Sequence, residues 1–301
     1  MEDNNSSRWT PLRKRTSSQE LKYYLKILVQ NNYRFIPLSE AVDMISGNIA
    51  IQPNSVCLTF DDGYRNNITH ALPILRDYNA PATFFVITEP VENRIPFWFD
   101  RADYALQNLA VKDIKMTIGN EDFVIKTVSQ EEMLDTYTRL RLMYRKHSLA
   151  EIMTAVDEID RAANSRLEDL GANDDWTACL RWDEIRQLVK EGFVIGSHTL
   201  NHFRLDDLND ESALNQLISS KAAIEEEIDT VCEHFSYPSG LYNASTPDLV
   251  KQAGYRSAVT TIPGGNYAGD DVYRLKRINI ESNLPDKLLE VIKEAQKQPD
   301  G

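Results

Sequence analysis

Cysteine is scarce. Cys57, Cys179 and Cys232 are the only three in 301 residues, and no two of them have C-x-x-C spacing. An odd count without that spacing argues against a disulfide framework and against a thiolate zinc site. No run of 18 apolar residues occurs, so no helical membrane span is expected. Residues 1–15 are polar and lack the hydrophobic core of a signal peptide. With the unpaired cysteines this predicts a soluble, cytoplasmic protein, although a chain trimmed of its leader would read the same way. Basic side chains are in deficit, 33 Lys and Arg against 46 Asp and Glu, for a formal charge of −13. Such a surface repels polyphosphates and anionic membranes, which excludes bulk nucleic-acid binding and leaves room only for a local basic site. Glycine and proline number 12 each while 42% of residues are hydrophobic, so neither a collagen-like repeat nor a disordered polymer is expected.

What is present is an alternation of strands and helices. Ser17 with Glu20, followed by Leu21, Tyr24, Leu25 and Leu28, predicts a capped amphipathic helix. A short helix over 40–45 follows and is stopped by Gly47. The apolar run 55–60 predicts a buried strand that ends in Asp61-Asp62-Gly63; helical spacing through Ile68, Leu72 and Leu75 then leads to a second buried strand at 82–87. The rhythm returns with helix 182–191 and strand 193–197, helix 209–229 and strand 234–238, helix 247–254 and strand 255–261. Strand 273–280 and helix 285–296 close the chain. This order belongs to an α/β fold with a parallel sheet or barrel. Residues 94–180 break the rhythm with helical patterns at 133–145 and 150–167, and predict a helical insertion lying over one end of a barrel.

Two features at predicted strand ends carry chemistry. Asp61 and Asp62 follow a strand, and past its end the alternation of faces lapses, so both carboxylates can address one cavity. An Asp-Asp-Gly turn in solvent is the plainer alternative. His198 and His202 follow another strand at i and i+4, a spacing that on a helix puts two imidazoles on one face, where they bind one divalent ion with a carboxylate as third ligand. Together these residues supply a His₂-carboxylate triad and a spare carboxylate, the components of metal-assisted hydrolysis.

Thr59-Phe60-Asp61-Asp62-Gly63, then His198-x-x-x-His202, then a strand ending in Tyr237-Pro238-Ser239-Gly240, resembles the polysaccharide deacetylases of the NodB-homology type. The resemblance runs from about residue 17 to about residue 283, with Pro73 to Leu75, Ala82 to Phe85 and Trp182 to Ile185 as framework. It implies a single domain over 1–301 that folds as a distorted (β/α)₇ barrel, and hydrolysis of N-acetyl, O-acetyl or N-formyl groups on sugars. By resemblance, Asp62, His198 and His202 bind the metal and Asp61 is the general base. The backbone N–H of Ser239 would join the metal in stabilising the tetrahedral oxyanion. Tyr237, Pro238 and Gly240 of the same loop are expected to line the substrate site. Zinc is the default metal, with cobalt, nickel or manganese also able to fit.

The chain departs from the family pattern at three places. Ser236 stands where many members carry an Arg that orients the base, Ser239 stands where an aromatic residue is common, and no His follows His234 to serve as general acid. Arg277, in a Leu-x-Arg-Ile stretch similar to that of exopolysaccharide-associated relatives, is expected either to hold Asp61 or to form a structural ion pair. Asp61 could return its proton to the leaving nitrogen, and His234 is the alternative acid. Trp98 is read either as a sugar-stacking platform or as a pin for the insertion, His147 as solvated, and His70 as packing or surface. The expected partner is a carbohydrate with N-acetyl or other N-acyl groups. The leading expectation is a deacetylase of amino sugars in a polysaccharide or its precursor. The alternatives are a deformylase or deacylase of a lipid- or nucleotide-linked sugar, and a binding or scaffold protein without turnover.

Overall fold

The computed structural model describes residues 9–12, 15–143, 146–164, 166–167, 176–280 and 287–295. The chain divides into two compact units, one of Arg15–Asn93 with Leu180–Gly301, the other of Arg94–Cys179 with the N-terminal segment.

The first unit is built on parallel strands. Helix α1 (Ser18–Gln30) starts at the Ser17–Glu20 capping box and buries Leu21, Tyr24, Leu25 and Leu28. Strand β1 (Arg34–Phe35) and helix α2 (Leu38–Ile45) follow. The predicted strand at 55–60 serves two sheets: β2 (Ser55–Val56) pairs with β1, and β3 (Leu58–Phe60) pairs with β4 (Ala82–Val86). Between them, a π-turn (Asn67–Ala71) runs into α3 (Leu72–Asp77). Pro73 has no N–H to continue the helical ladder, which suits a widened turn at this point.

Helix α4 (Thr88–Asn93) ends the first half of the unit. Then come α8 (Trp182–Lys190), β7 (Val194–Ser197), α9 (Asp210–Ile228), β8 (His234–Ser236), α10 (Thr246–Gln252), β9 (Ser257–Val259) and α11 (Leu288–Ala295). The main sheet has the order β3-β4-β7-β8-β9, all parallel, and curls as half a barrel. The start of the last predicted helix at Pro285 and its end at Gln296 lie outside the described residues. Every residue of β4 is buried, as in a sheet covered on both faces. Gly196 of β7 lies beside Phe85, and a β-carbon there would sit 2.4 Å from the Phe85 ring and 2.9 Å from the His234 carbonyl. Only glycine permits that approach.

The predicted strand 273–280 is reduced to one parallel bridge, Leu275 to Val259. The reason is local. Leu275 N–H donates to Ala258 O and Thr260 N–H to Leu275 O, so a parallel ladder would next join Arg277 N–H to Thr260 O. Instead the Arg277 side chain takes that acceptor through Nε at 2.7 Å, and its backbone N–H turns to Ile262 O. Counting Ser55 to Phe60 as one stretch and adding the Leu275 bridge, seven parallel segments lie side by side, with no bridge returning from Leu275 to β1 among the described residues.

The second unit corrects the expectation of a purely helical insertion. It holds α5 (Trp98–Gln107), an antiparallel hairpin of β5 (Asp113–Ile118) and β6 (Glu121–Lys126), and helices α6 (Gln130–Met143) and α7 (Leu149–Ala162). The hairpin signal was the alternation of Ile114, Met116 and Ile118, then Phe123 and Ile125, across a two-residue Gly119-Asn120 turn. Trp9 packs edge-on against Tyr104 in a cluster with Leu167 and Trp176. His147, read as solvated, is buried between Glu121 and Glu151. No helix among the described residues is long and apolar enough to cross a membrane.

Candidate active site

Four strands deliver polar residues from their C-terminal ends, where parallel α/β folds place their sites. Strand β3 ends in Asp61 and Asp62, β7 in His198, β8 in Ser236, and β9 runs on into Thr260. Asp62 adopts φ 74° and Gly63 φ 85°, so the chain reverses sharply and the two adjacent carboxylates separate.

Asp62 faces the histidines. Its Oδ1 lies 3.6 Å from His198 Nε2 and 3.7 Å from His202 Nε2, and one ligand atom from each of the three residues falls within 4.8 Å of the others. His198 Nδ1 lies 2.7 Å from the Ser236 carbonyl oxygen, which can only accept, so Nδ1 carries the proton and Nε2 presents a lone pair toward Asp62. Ligand atoms of a tetrahedral zinc ion, each about 2.0–2.1 Å from it, lie roughly 3.3 Å apart. The observed spacings and the tautomer therefore fit a divalent cation.

The two histidines do not share a helical face. They flank a turn with positive φ at Thr199 (70°) and His202 (65°), and the rings meet edge-on with centroids 4.9 Å apart. The turn replaces helical bonds with others. Thr199 Oγ1 accepts from His202 N–H at 2.9 Å, while Thr88 and Glu89 N–H donate to Thr199 and Leu200 carbonyls. Spacing alone could not separate a helix from this turn.

Asp61 turns the other way, to Arg277. Nη1 reaches Oδ1 at 2.8 Å and Nη2 reaches Oδ2 at 2.7 Å. The remaining guanidinium protons go to Thr59 Oγ1, Ser236 Oγ and Thr260 O, so all five donors have an acceptor. Burial by itself would raise the pKa of Asp61, but the Arg277 charge and hydrogen bonds outweigh it and hold the carboxyl well below the usual carboxylate range. Ser236, at the position where many family members carry an Arg, joins both halves of the site, its carbonyl to His198 and its hydroxyl to Asp61 and Arg277.

In the loop after β8, Ser239 adopts φ 57° and ψ 9°, and no acceptor for its N–H occurs among the described residues. The Leu241 N–H holds Pro238 O, and Thr261 Oγ1 holds Ser239 O. Gly240 has φ 69°, and a β-carbon would sit 2.0 Å from Thr261 Oγ1. Pro238 and Gly240 are buried and shape the turn.

The Tyr237 side chain, expected to line the substrate site, is not exposed to one. Its side chain is fully buried, its hydroxyl donates to Tyr273 O, and burial pushes its pKa up. Trp98, in the second unit, is 7% exposed and edge-on to Phe99, which leaves no open face for a sugar. His234 begins β8, two residues upstream of Ser236, fully buried with Nδ1 2.9 Å from Ser257 Oγ. Burial, helped by Arg256 and Lys221, pushes its pKa down to about 4, so at neutral pH it is the neutral imidazole and lacks the acidic imidazolium proton.

A half-barrel of parallel strands with an Asp-His-His cluster and a second, arginine-held aspartate at its strand ends defines the class. Residues 50–258 match the polysaccharide deacetylase family, to which the chain belongs. It is 22% identical over 270 residues to YxkH of Bacillus subtilis strain 168, a protein assigned as a polysaccharide deacetylase, covering 90% of this chain and 67% of that one. A shorter match, 31% over 75 residues, joins 25% of the chain to 35% of a Bacillus cereus peptidoglycan-N-acetylglucosamine deacetylase. Among solved structures, the Streptococcus pyogenes deacetylase PplD in complex with acetate shares the fold. Its TM-score is 0.60 at 20% identity, over 91% of this chain and 86% of that one.

Proposed function

We propose that this carbohydrate deacetylase removes acetyl groups from N-acetylated amino sugars of a polysaccharide or its precursor, with a divalent cation held by Asp62, His198 and His202. The observation that carries the reading is the pairing of that triad with Asp61, an adjacent carboxylate locked by Arg277 and kept out of the triad. A bound cation supplies an acidified water, its pKa lowered from 15.7 toward about 7, and polarises the carbonyl to be attacked.

Asp61 accepts the proton of the attacking water through an oxygen lone pair that Arg277 leaves open, since an ionised carboxylate has about four acceptor sites. The arginine costs Asp61 basicity and fixes its direction. The Ser239 N–H donates to the carbonyl oxygen as that oxygen gains charge, and losing one such donor typically costs about 3 kcal/mol. Asp61 then returns its proton to the amide nitrogen, which leaves as an amine. The neutral, buried His234 supports this single-carboxylate route.

Zinc is the cation favoured by a His₂-Asp set with open positions. The three cysteines, with no disulfide among the described residues, support a reducing, cytoplasmic compartment, and a substrate modified before export as exopolysaccharide. The name of the Bacillus cereus relative supports an N-acetylated amino sugar. Acetate release from a panel of N-acetylated sugars tests the reading, with N-formyl sugars as the control. Release of formate alone, or of neither acid, overturns it. Fractionation of the native protein tests its compartment, and recovery outside the cytoplasm overturns that assignment.

A further inference from the structure

Helix α9 grips the turn between His198 and His202 at two points. Ahead of His198, Ser197 Oγ and Ser220 Oγ lie 2.7 Å apart, and both residues are fully buried. Ser220 sends its own proton to the Gln216 carbonyl, also at 2.7 Å, so Ser197 is the donor of that pair. Beyond His198, Leu200 N–H donates to Gln216 Oε1 at 3.2 Å, and Gln216 is 8% exposed. Residues 216 and 220 are four apart on one helix and share a face. That face therefore bonds the chain immediately before His198 and again two residues after it.

The grip has something to restrain. Thr199 is β-branched with φ 70°, and a residue of that shape stays there only when its surroundings over-determine it. The Leu200 N–H belongs to the turn, two residues after His198 and two before His202. Among the described residues Gln216 is the side chain outside the turn that satisfies it.

We propose that Gln216 and Ser220 are positioning residues for the metal-binding turn, clipping the chain on both sides of His198 so that its Nε2 meets Asp62 and His202. This inference rests on the reading that Asp62, His198 and His202 hold a divalent cation. Groups that orient ligands without touching the ion typically change metal affinity by about 10–100-fold.

The test uses the full chain stripped of metal and titrated with Co²⁺ alone, followed through its visible absorption. Gln216→Met keeps length and volume but has no oxygen acceptor. It is expected to weaken Co²⁺ binding at least about tenfold and to alter the absorption band. Gln216→Glu keeps the acceptor and is expected to restore most of the affinity. Ser220→Ala is expected to shift affinity in the direction of the Met variant, and it decides the matter if Gln216→Met does not fold by urea titration. Wild-type affinity and spectrum in a folded Gln216→Met, or equal losses in the Met and Glu variants, would overturn the positioning role. No Co²⁺ binding by the wild type would instead overturn the metal reading, and this inference with it.

Discussion

Arg277 grips Asp61 in two parallel hydrogen bonds of 2.7 and 2.8 Å, and does so from the segment whose strand its own side chain interrupts. A strand is given up where an arginine is placed. Five satisfied donors around one planar group fix direction as well as charge, which an ammonium cannot do.

Arg277→Ala is therefore expected to lower kcat at least about tenfold with metal content unchanged, and Arg277→Lys to recover little of the loss. Acetate release and metal analysis of the purified variants check this. Full activity in the Lys variant would show that charge alone suffices.

The two aspartates should separate cleanly. Asp61→Asn is expected to abolish turnover and keep the metal, because Asn can neither accept the proton nor disturb ligands that it does not join. His198→Ala is expected to lose stoichiometric metal. If metal analysis finds the loss in Asp61→Asn instead, the roles of Asp61 and Asp62 are exchanged.

Gly240→Ala is expected to reduce kcat at least about tenfold with metal retained, through displacement of the Ser239 N–H. Its β-carbon has no room beside Thr261, and φ 69° is unfavourable for alanine. Steady-state kinetics beside metal content give the measurement, and unchanged kcat would remove Ser239 from the mechanism.

His234 makes a prediction about stability and pH. Its folded pKa of about 4 lies below the ordinary value near 6.5, so the unfolded chain binds the extra proton between those pH values. The stability it contributes is present above pH 6.5 and is lost as pH falls toward 4. Between pH 7.5 and 5 that loss amounts to about 2 kcal/mol. Urea unfolding at the two pH values should show wild type losing more than His234→Asn by roughly that amount, while the variant keeps near-wild-type kcat. An equal loss in both proteins would show that His234 is not the group responsible.

Much of the first unit was legible because its signals are local. The capping box at Ser17 and Glu20, the apolar runs before Asp61 and His198, and the glycines that end helices act within a few residues. The hairpin at 113–126 is equally local, but its alternation is short and stands between longer helical patterns. Trp98 and Tyr237 carried no local sign of their burial, since an aromatic side chain suits a core and a sugar platform equally.

The amino-acid sequence by itself determined which groups stand at the strand ends: Asp61 and Asp62 after one apolar run, His198 and His202 after another, and Ser236 where an arginine was expected. Short-range patterning sets strand ends, and the residues there follow directly. Tertiary structure alone decided which partners those groups meet. Arg277 lies 216 residues from Asp61, Ser236 lies 38 residues from His198, and the turn holding the histidines is bonded by α4 and α9. A hydrogen bond depends on position and direction in space, and only the packing of the sheet and its helices brings such distant residues within bonding distance of one another.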